Sequence, residues 1–395
     1  MTKKIPVQII VVFVAGVVIL CSSVFFFRPL SSGRSACMVR VRLAHDADSV
    51  KVSSQDRCNI YDIRTGALLR KNIRIEPGAE MSVSGNSIIL GKDEFGPGPV
   101  RIEALRNGSI SLNGVSYRGG LYAARAGEGL DVVNRVGLED YLKGVLPREV
   151  NHLWPFAALK AQAVASRSFA VAAVIRRKGN DYDVTADTFS QVYGGRSAER
   201  WRTSKAVEMT RGMVLEYGGS VLPAYFHSCC GGCTGDIARI WGKAIAPLKG
   251  GKCPWCRWSP YFRWQVRVPT GEIIQKIGSR GYVIASIDDI RCGSRDASGR
   301  LEYVRVRSRN KWIEVDTEEF RSALGTRVIK SANFRVKKYP FFYLFSGYGW
   351  GHGVGMCQWG AFGLSIRRWN MERILGEYYP GAKIKDVGEV AGTVI

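Results

Sequence analysis

The sequence predicts an α+β protein: an apolar N-terminal segment, a β-rich segment over 36–135, and a mixed α/β region over 136–395. Three observations carry this reading. Val7 to Phe27 runs for 21 residues without a charge. Residues 36–135 alternate apolar and polar side chains in short runs broken by Gly, Asn and Asp, the pattern of strands and turns. Beyond Leu138 the apolar spacing lengthens to that of a helix. A chain of 395 residues with 46% hydrophobic content has material for two or three domains and is no disordered polymer.

Taken in order, Lys3 and Lys4 precede the uncharged run, which is long enough to cross a hydrocarbon layer of ~30 Å as a helix. It reads as a signal anchor within residues 1–30. Cytoplasmic positive charge then places the rest outside the cytoplasm, a single-pass membrane protein with an extracytoplasmic C-terminal region. Cys21-Ser22-Ser23 suits the competing reading, a cleaved signal peptide, but the apolar run outlasts the usual h-region. Next come alternating stretches such as Val39-Arg40-Val41-Arg42-Leu43 and Ser109-Ile110-Ser111-Leu112, with a Gly/Pro-rich turn from Phe95 to Pro99. Leu142, Val145 and Leu146 share a helical face that Pro147 is expected to close, and Pro155 suits the first turn of a second helix reaching about Arg177. Ala157, Ala158, Ala161, Ala163 and Ala165 mark that helix as a buried core element. Strands are expected over Glu302–Arg307 and Trp312–Val315, a short helix near Thr317–Ala323, and a last helix over Met371–Tyr379.

The balance of 57 Lys+Arg against 34 Asp+Glu, a net +23, calls for an anionic partner. DNA binding, a rival use of that charge, would require cytoplasmic topology, so export favours an acidic wall polymer or an anionic lipid surface over nucleic acid.

Three stretches carry candidate chemistry. Glu149 lies in the joint between two helical pieces, beside Leu146, Leu153, Trp154 and Phe156. Apolar surroundings raise a carboxyl pKa, whereas a close Arg148 opposes the rise, so a catalytic acid and a surface ion pair or cap both fit. Seven of the ten cysteines follow residue 220, and Cys230-x2-Cys233 with Cys253-x2-Cys256 has the spacing of two zinc knuckles over 227–256. Two disulfides fit the same four residues, and His227 or Cys229 could replace one of the first pair. A site closed by four thiolates would be structural. Third, every second residue from Gly347 to Gly355 is glycine. As a strand this stretch would present bare backbone on one face and Tyr348, Trp350, His352, Val354 and Met356 on the other, a flat floor for a sugar or extended polymer. His352 could serve as ligand, acid/base or satisfied core residue. With Cys357 five positions on, such a strand would point the pair to opposite faces, poorly placed for a cysteine nucleophile.

These stretches together resemble the SpoIID/LytB family, named for stage II sporulation protein D and an amidase enhancer. The resemblance covers nearly everything after residue 37 and rests on YLKGVLPREV (141–150), ALKAQAVASRSFAV (158–171), DTFSQVYGG (187–195), AYFHSCCGGCTGDIARIWG (224–242), ASGRLEYVRV (297–306), KSANF (330–334), GWGHGVGMCQWGA (349–361) and YYPGAKI (378–384). Where the family usually has Ser before the Gln of its last glycine motif, this chain has Cys357.

The resemblance implies a membrane-anchored peptidoglycan lytic transglycosylase. Glu149 would act as its single acid and base, cleaving between N-acetylmuramic acid and N-acetylglucosamine to leave 1,6-anhydro ends. It implies that Ser190, Gln191, Tyr193, His227, His352 and Gln358 line a glycan cleft, and charge and motif position suggest Arg167 for the muramic lactyl carboxylate or an acetamido oxygen. It also raises the expectation of zinc near His227–Cys233. A noncatalytic wall-binding protein that stimulates a cell-wall amidase is the rival reading.

Overall fold

A computed structural model describes residues 37–187 and 190–391. The expected anchor, Val7–Phe27, lies outside them. The first half is built from two largely antiparallel sheets. The seven-stranded sheet runs in the order Val184–Thr185, Met38–Ala47, Gly129–Gly137, Gly120–Ala126, Val100–Ala104, Cys58–Asp62 and Leu68–Ile73. The six-stranded sheet is centred on Ser49–Ser54 and Ala79–Ser84. Period-two alternation does the sorting: Val39 and Val41 are sealed from solvent while Arg40 turns away to pair with Asp183, its Nη2 lying 2.6 Å from Oδ1.

The strand Gly129–Gly137 runs directly into helix α1 (Leu138–Glu149), which buries Leu138, Tyr141, Leu142, Val145 and Leu146, an i, i+3, i+4 stripe. These residues and the valines of both sheets share one apolar core, so packing is continuous across residue 136. Pro147 does not close α1. The helix runs two residues further, and the Val150 N–H still bonds the Leu146 carbonyl at 3.0 Å.

Helix α2 (Phe156–Arg176) matches its expected span. Ala163, Ala170 and Val171 pack in the core beneath the sheets, whereas Ala161, Val164 and Ala165 pack in a second core with Leu364, Ile374 and the buried cysteines. Burial on both sides explains its small, nearly all-apolar sequence. It is long and apolar enough to span a membrane, yet most of it is buried in the protein.

After α3 (Trp201–Met209) and the short α4 (Ile237–Trp241) comes a module with its own core of Ile273, Ile277, Val304, Val306, Phe320, Phe334 and Phe345. It holds two three-stranded sheets and helices α5 (Thr270–Gly278) and α6 (Thr317–Leu324). Its strands Tyr303–Ser308 and Lys311–Asp316 fall close to where alternation placed them. Helices α7 (Gln358–Ser365) and α8 (Met371–Tyr378) pack against α2, but α8 is not the last helix: the strand Lys383–Asp386, paired with Met213–Tyr217, and the short helix Val387–Val390 follow it.

Candidate functional site

Glu149 is the last residue of α1. Its Oε1 accepts the Val192 N–H at 3.1 Å and its Oε2 faces the Gln358 amide nitrogen at 3.4 Å. Three separate parts of the sequence therefore converge on one carboxyl group. Burial pushes its pKa from the ordinary 4.5 up to about 7, and the two donors, which favour the charged form, hold it from rising further. The C-terminal end of a helix is itself a poor place for negative charge. Among the described residues, no second carboxylate enters the balance that sets this proton affinity. Arg148 does not oppose the rise, because its exposed guanidinium lies over Gly194 instead.

Segment 190–195 is fixed to α1 by the bond from Gly194 N–H to the Gly144 carbonyl at 3.1 Å. Gly144 is obligatory on geometry: a Cβ there would lie 2.6 Å from the Tyr193 ring. Extended backbone then alternates the side chains. Gln191, 1% exposed, accepts from the Tyr141 hydroxyl at 3.0 Å, and Tyr193 donates to Asn134 Oδ1 at 3.0 Å within a cluster with Tyr117 and Tyr141. Both point into the core and cannot line a cleft, so their expected role in glycan contact is corrected. The Val192 N–H between them is what reaches Glu149. Ser190 stays in its own turn, its Oγ accepting from the Thr185 N–H at 3.1 Å.

Arg167 is likewise no ligand contact. It is fully buried, forks onto Glu139 through Nε–Oε1 at 3.0 Å and Nη2–Oε2 at 2.7 Å, and donates to the carbonyls of Val207 and Met213. Its task is to tie α2 to the first turn of α1.

The glycine run is not a strand past Tyr348. Gly349, Gly351, Gly353 and Gly355 have φ of 79°, 110°, 88° and 69°, a region L side chains rarely adopt. At Gly353 a Cβ would also meet the Arg300 guanidinium at 2.2 Å. The expected aromatic floor does not form: Val354 and Met356 are buried, and Tyr348 borders a separate open concavity with Arg257, Phe262 and Arg263. The run instead coils back to pair Met356-Cys357 in parallel with Phe226-His227 and starts α7, which delivers Gln358.

His352 uses both ring nitrogens, Nε2 donating to the Phe226 carbonyl at 2.9 Å and Nδ1 accepting the Val354 N–H at 3.1 Å. Burial pushes its pKa down to about 4, leaving a neutral, satisfied ring. His227 faces it with ring centres 5.6 Å apart, and its Nδ1 lies 3.1 Å from the Val354 carbonyl. Its Nε2 is buried with no partner among the described residues.

The thiols cluster beside α7. Cys230, Cys253, Cys256 and Cys357 bring their Sγ atoms within 4.8 Å of one another. Cys233, expected in that set, lies outside it. Its backbone pairs with Lys252 in a two-residue ladder and its carbonyl accepts from Arg300, an arrangement that leaves its side chain by Thr234. The sequence signal for the substitute was the Cys in place of Ser before Gln358.

Residues 126–217 match the family described as Stage II sporulation protein, and 256–355 match a domain of unknown function. An uncharacterized protein of Brachyspira hyodysenteriae is 34% identical over 282 residues, 71% of this chain and 75% of that one. Stage II sporulation protein D of Bacillus amyloliquefaciens is 30% identical over 64% of this chain and 76% of its own length. The chain belongs to the SpoIID/LytB family. Another relative, the amidase enhancer of Bacillus subtilis, is 32% identical over 62% of this chain, which spans only 40% of that protein. The family match contains Glu149 and Val192, whereas Gln358 comes from beyond both matched stretches.

Proposed function

We propose that this SpoIID/LytB member is a membrane-anchored lytic transglycosylase of peptidoglycan in which Glu149 is both acid and base. Stage II sporulation protein D and the amidase enhancer, by their names, belong to sporulation and to the enhancement of an amidase, and a role at the cell wall accommodates both. The observation that carries the enzymatic reading is the carboxyl group of Glu149, its pKa raised to about 7 by burial and its two oxygens met by the Val192 N–H and the Gln358 amide.

Hydrolytic glycosidases place two carboxyl groups about 5–10 Å apart, one for the leaving oxygen and one for the anomeric carbon or the water. A lytic reaction needs one. Protonated Glu149 gives its proton to the glycosidic oxygen as the bond from C1 of N-acetylmuramic acid breaks. The carboxylate left behind takes the proton of the C6 hydroxyl of that same sugar, whose oxygen bonds C1 and closes the 1,6-anhydro ring. The enzyme ends in its starting protonation state, with no water consumed. A pKa near neutrality serves both halves, since a strong acid would be ionised beforehand and a very weak one would not release its proton. Val192 N–H and the Gln358 amide stabilise the carboxylate formed in between.

Purified glycan strands incubated with the protein should yield anhydromuramic ends by mass spectrometry, and Glu149→Gln should lower their rate by about 100-fold or more. Binding of glycan without any product from the native protein would favour the noncatalytic reading, an enhancer of a wall amidase.

A further inference from the structure

The geometry points to a structural zinc site formed by Cys230, Cys253, Cys256 and Cys357. This set differs from the two knuckles the sequence spacing suggests, because Cys357 from the N-terminus of α7 takes the place of Cys233. The site does not depend on whether Glu149 is catalytic.

A zinc ion at about 2.3 Å from four thiolates sets its sulfurs about 3.8 Å apart. Here all four Sγ atoms lie within 4.8 Å of one another, with Cys230 and Cys256 at 3.4 Å. That span suits one ion; a polynuclear iron–sulfur cluster would hold its cysteines further apart. All four residues are buried, and four thiols in one apolar core have little reason to meet unless something holds them. Soft sulfur donors select zinc over calcium or magnesium.

The surroundings are those of a metal thiolate. The N–H groups of Cys230 and Gly360 both donate to Cys357 Sγ, at 3.2 and 3.3 Å, and the Gly232 N–H donates to Cys230 Sγ at 3.4 Å. The Tyr378 hydroxyl lies 3.2 Å from Cys253 Sγ. Such donors beyond the ligands fix ligand orientation and spread thiolate charge. At Gly360 a Cβ would sit 1.9 Å from that hydroxyl and 2.8 Å from Cys253 Sγ, so a bare backbone is what lets α7 approach the Pro254–Cys256 turn. The site thus clamps three distant segments, 229–233, 253–256 and the start of α7. Because Gln358 follows Cys357 directly, the clamp also sets the position of the amide that faces Glu149.

Metal analysis of the full-length protein, purified under reducing conditions and dialysed, tests this. About one zinc per chain is expected in the native protein and in Cys233→Ser, with at least a tenfold weaker hold in Cys357→Ser under chelator competition. Equal retention in Cys357→Ser alongside loss in Cys233→Ser would overturn the ligand set. Native protein without metal and with these cysteines joined as disulfides in mass spectrometry would overturn the site. If Cys357→Ser does not fold, Co2+ exchange of the native protein decides. Visible bands of tetrahedral cobalt with sulfur-to-metal absorption from four thiolates support the site, and a spectrum showing imidazole or fewer thiolates overturns it.

Discussion

Removing the charge at Glu149 should make the protein more stable, and the gain should depend on pH in one direction. Folding raises the pKa of this group from 4.5 to about 7, so between those values the native state binds a proton that the unfolded chain has released. Stability then falls as pH rises through that window. Below 4.5 both states are protonated and Glu149→Gln should differ little from the native protein. Above 7 the native protein carries the whole penalty of a buried carboxylate. At about 1.36 kcal/mol per tenfold change in proton affinity this comes to roughly 3 kcal/mol. The favourable bonds from Val192 and Gln358 are already inside that figure, since they act on the ionised form. Urea unfolding of both proteins at half-unit steps from pH 4 to 9 should give curves that coincide in acid and diverge by about this amount in base. Parallel curves would mean that Glu149 titrates as an ordinary surface acid, and the argument for a proton held at neutral pH would fail with it.

Gln358→Leu removes a donor to the carboxylate and should raise the pKa of Glu149, moving the alkaline limb of the glycan-cleavage profile to higher pH; an unmoved limb refutes the contact. Arg167→Met should cost about 3 kcal/mol in chemical denaturation by leaving Glu139 without its fork, while KM for glycan stays unchanged, against what a carboxylate-binding arginine would do. Gly144→Ala should lower stability by about 1–3 kcal/mol in the same assay, because the new methyl meets the Tyr193 ring.

Local pattern made the scaffold legible. Alternation at Val39 and Val41, the stripe from Leu138 to Leu146 and the alanines of α2 each state which face is buried, and the structure buries those faces. What stayed hidden was direction. The family resemblance assigns Gln191 and Tyr193 to a cleft, yet the alternation of one short segment turns both inward and leaves a backbone N–H, which no side-chain identity reveals, to meet Glu149. Arg167 looked available because its partner, Glu139, is 28 residues away and the helix around it holds no acid. The glycine run was misread because period two describes a strand and also a coil that needs a left-handed residue at every other position. Likewise, knuckle spacing counts residues along the chain, and Cys357 enters the thiol cluster from more than a hundred residues downstream of Cys230.

The inserted module leaves the body of the protein as it enters it. Arg263 through Pro269 pairs with Tyr348 back to Phe342 in an unbroken antiparallel ladder, so the chain departs and returns one strand spacing apart, about 5 Å. An excursion of some eighty residues with neighbouring ends can be enlarged, trimmed or exchanged over evolutionary time without prying apart the elements that flank it. Side contacts still tie it to the body: Arg300 holds the carbonyls of Cys230 and Cys233, Glu302 pairs with Arg239, and the Lys330 carbonyl accepts the Gly351 N–H. A replacement insert would have to supply a cation where Arg300 stands, since without it the carbonyls of Cys230 and Cys233, beside the thiol cluster, would lose their donor.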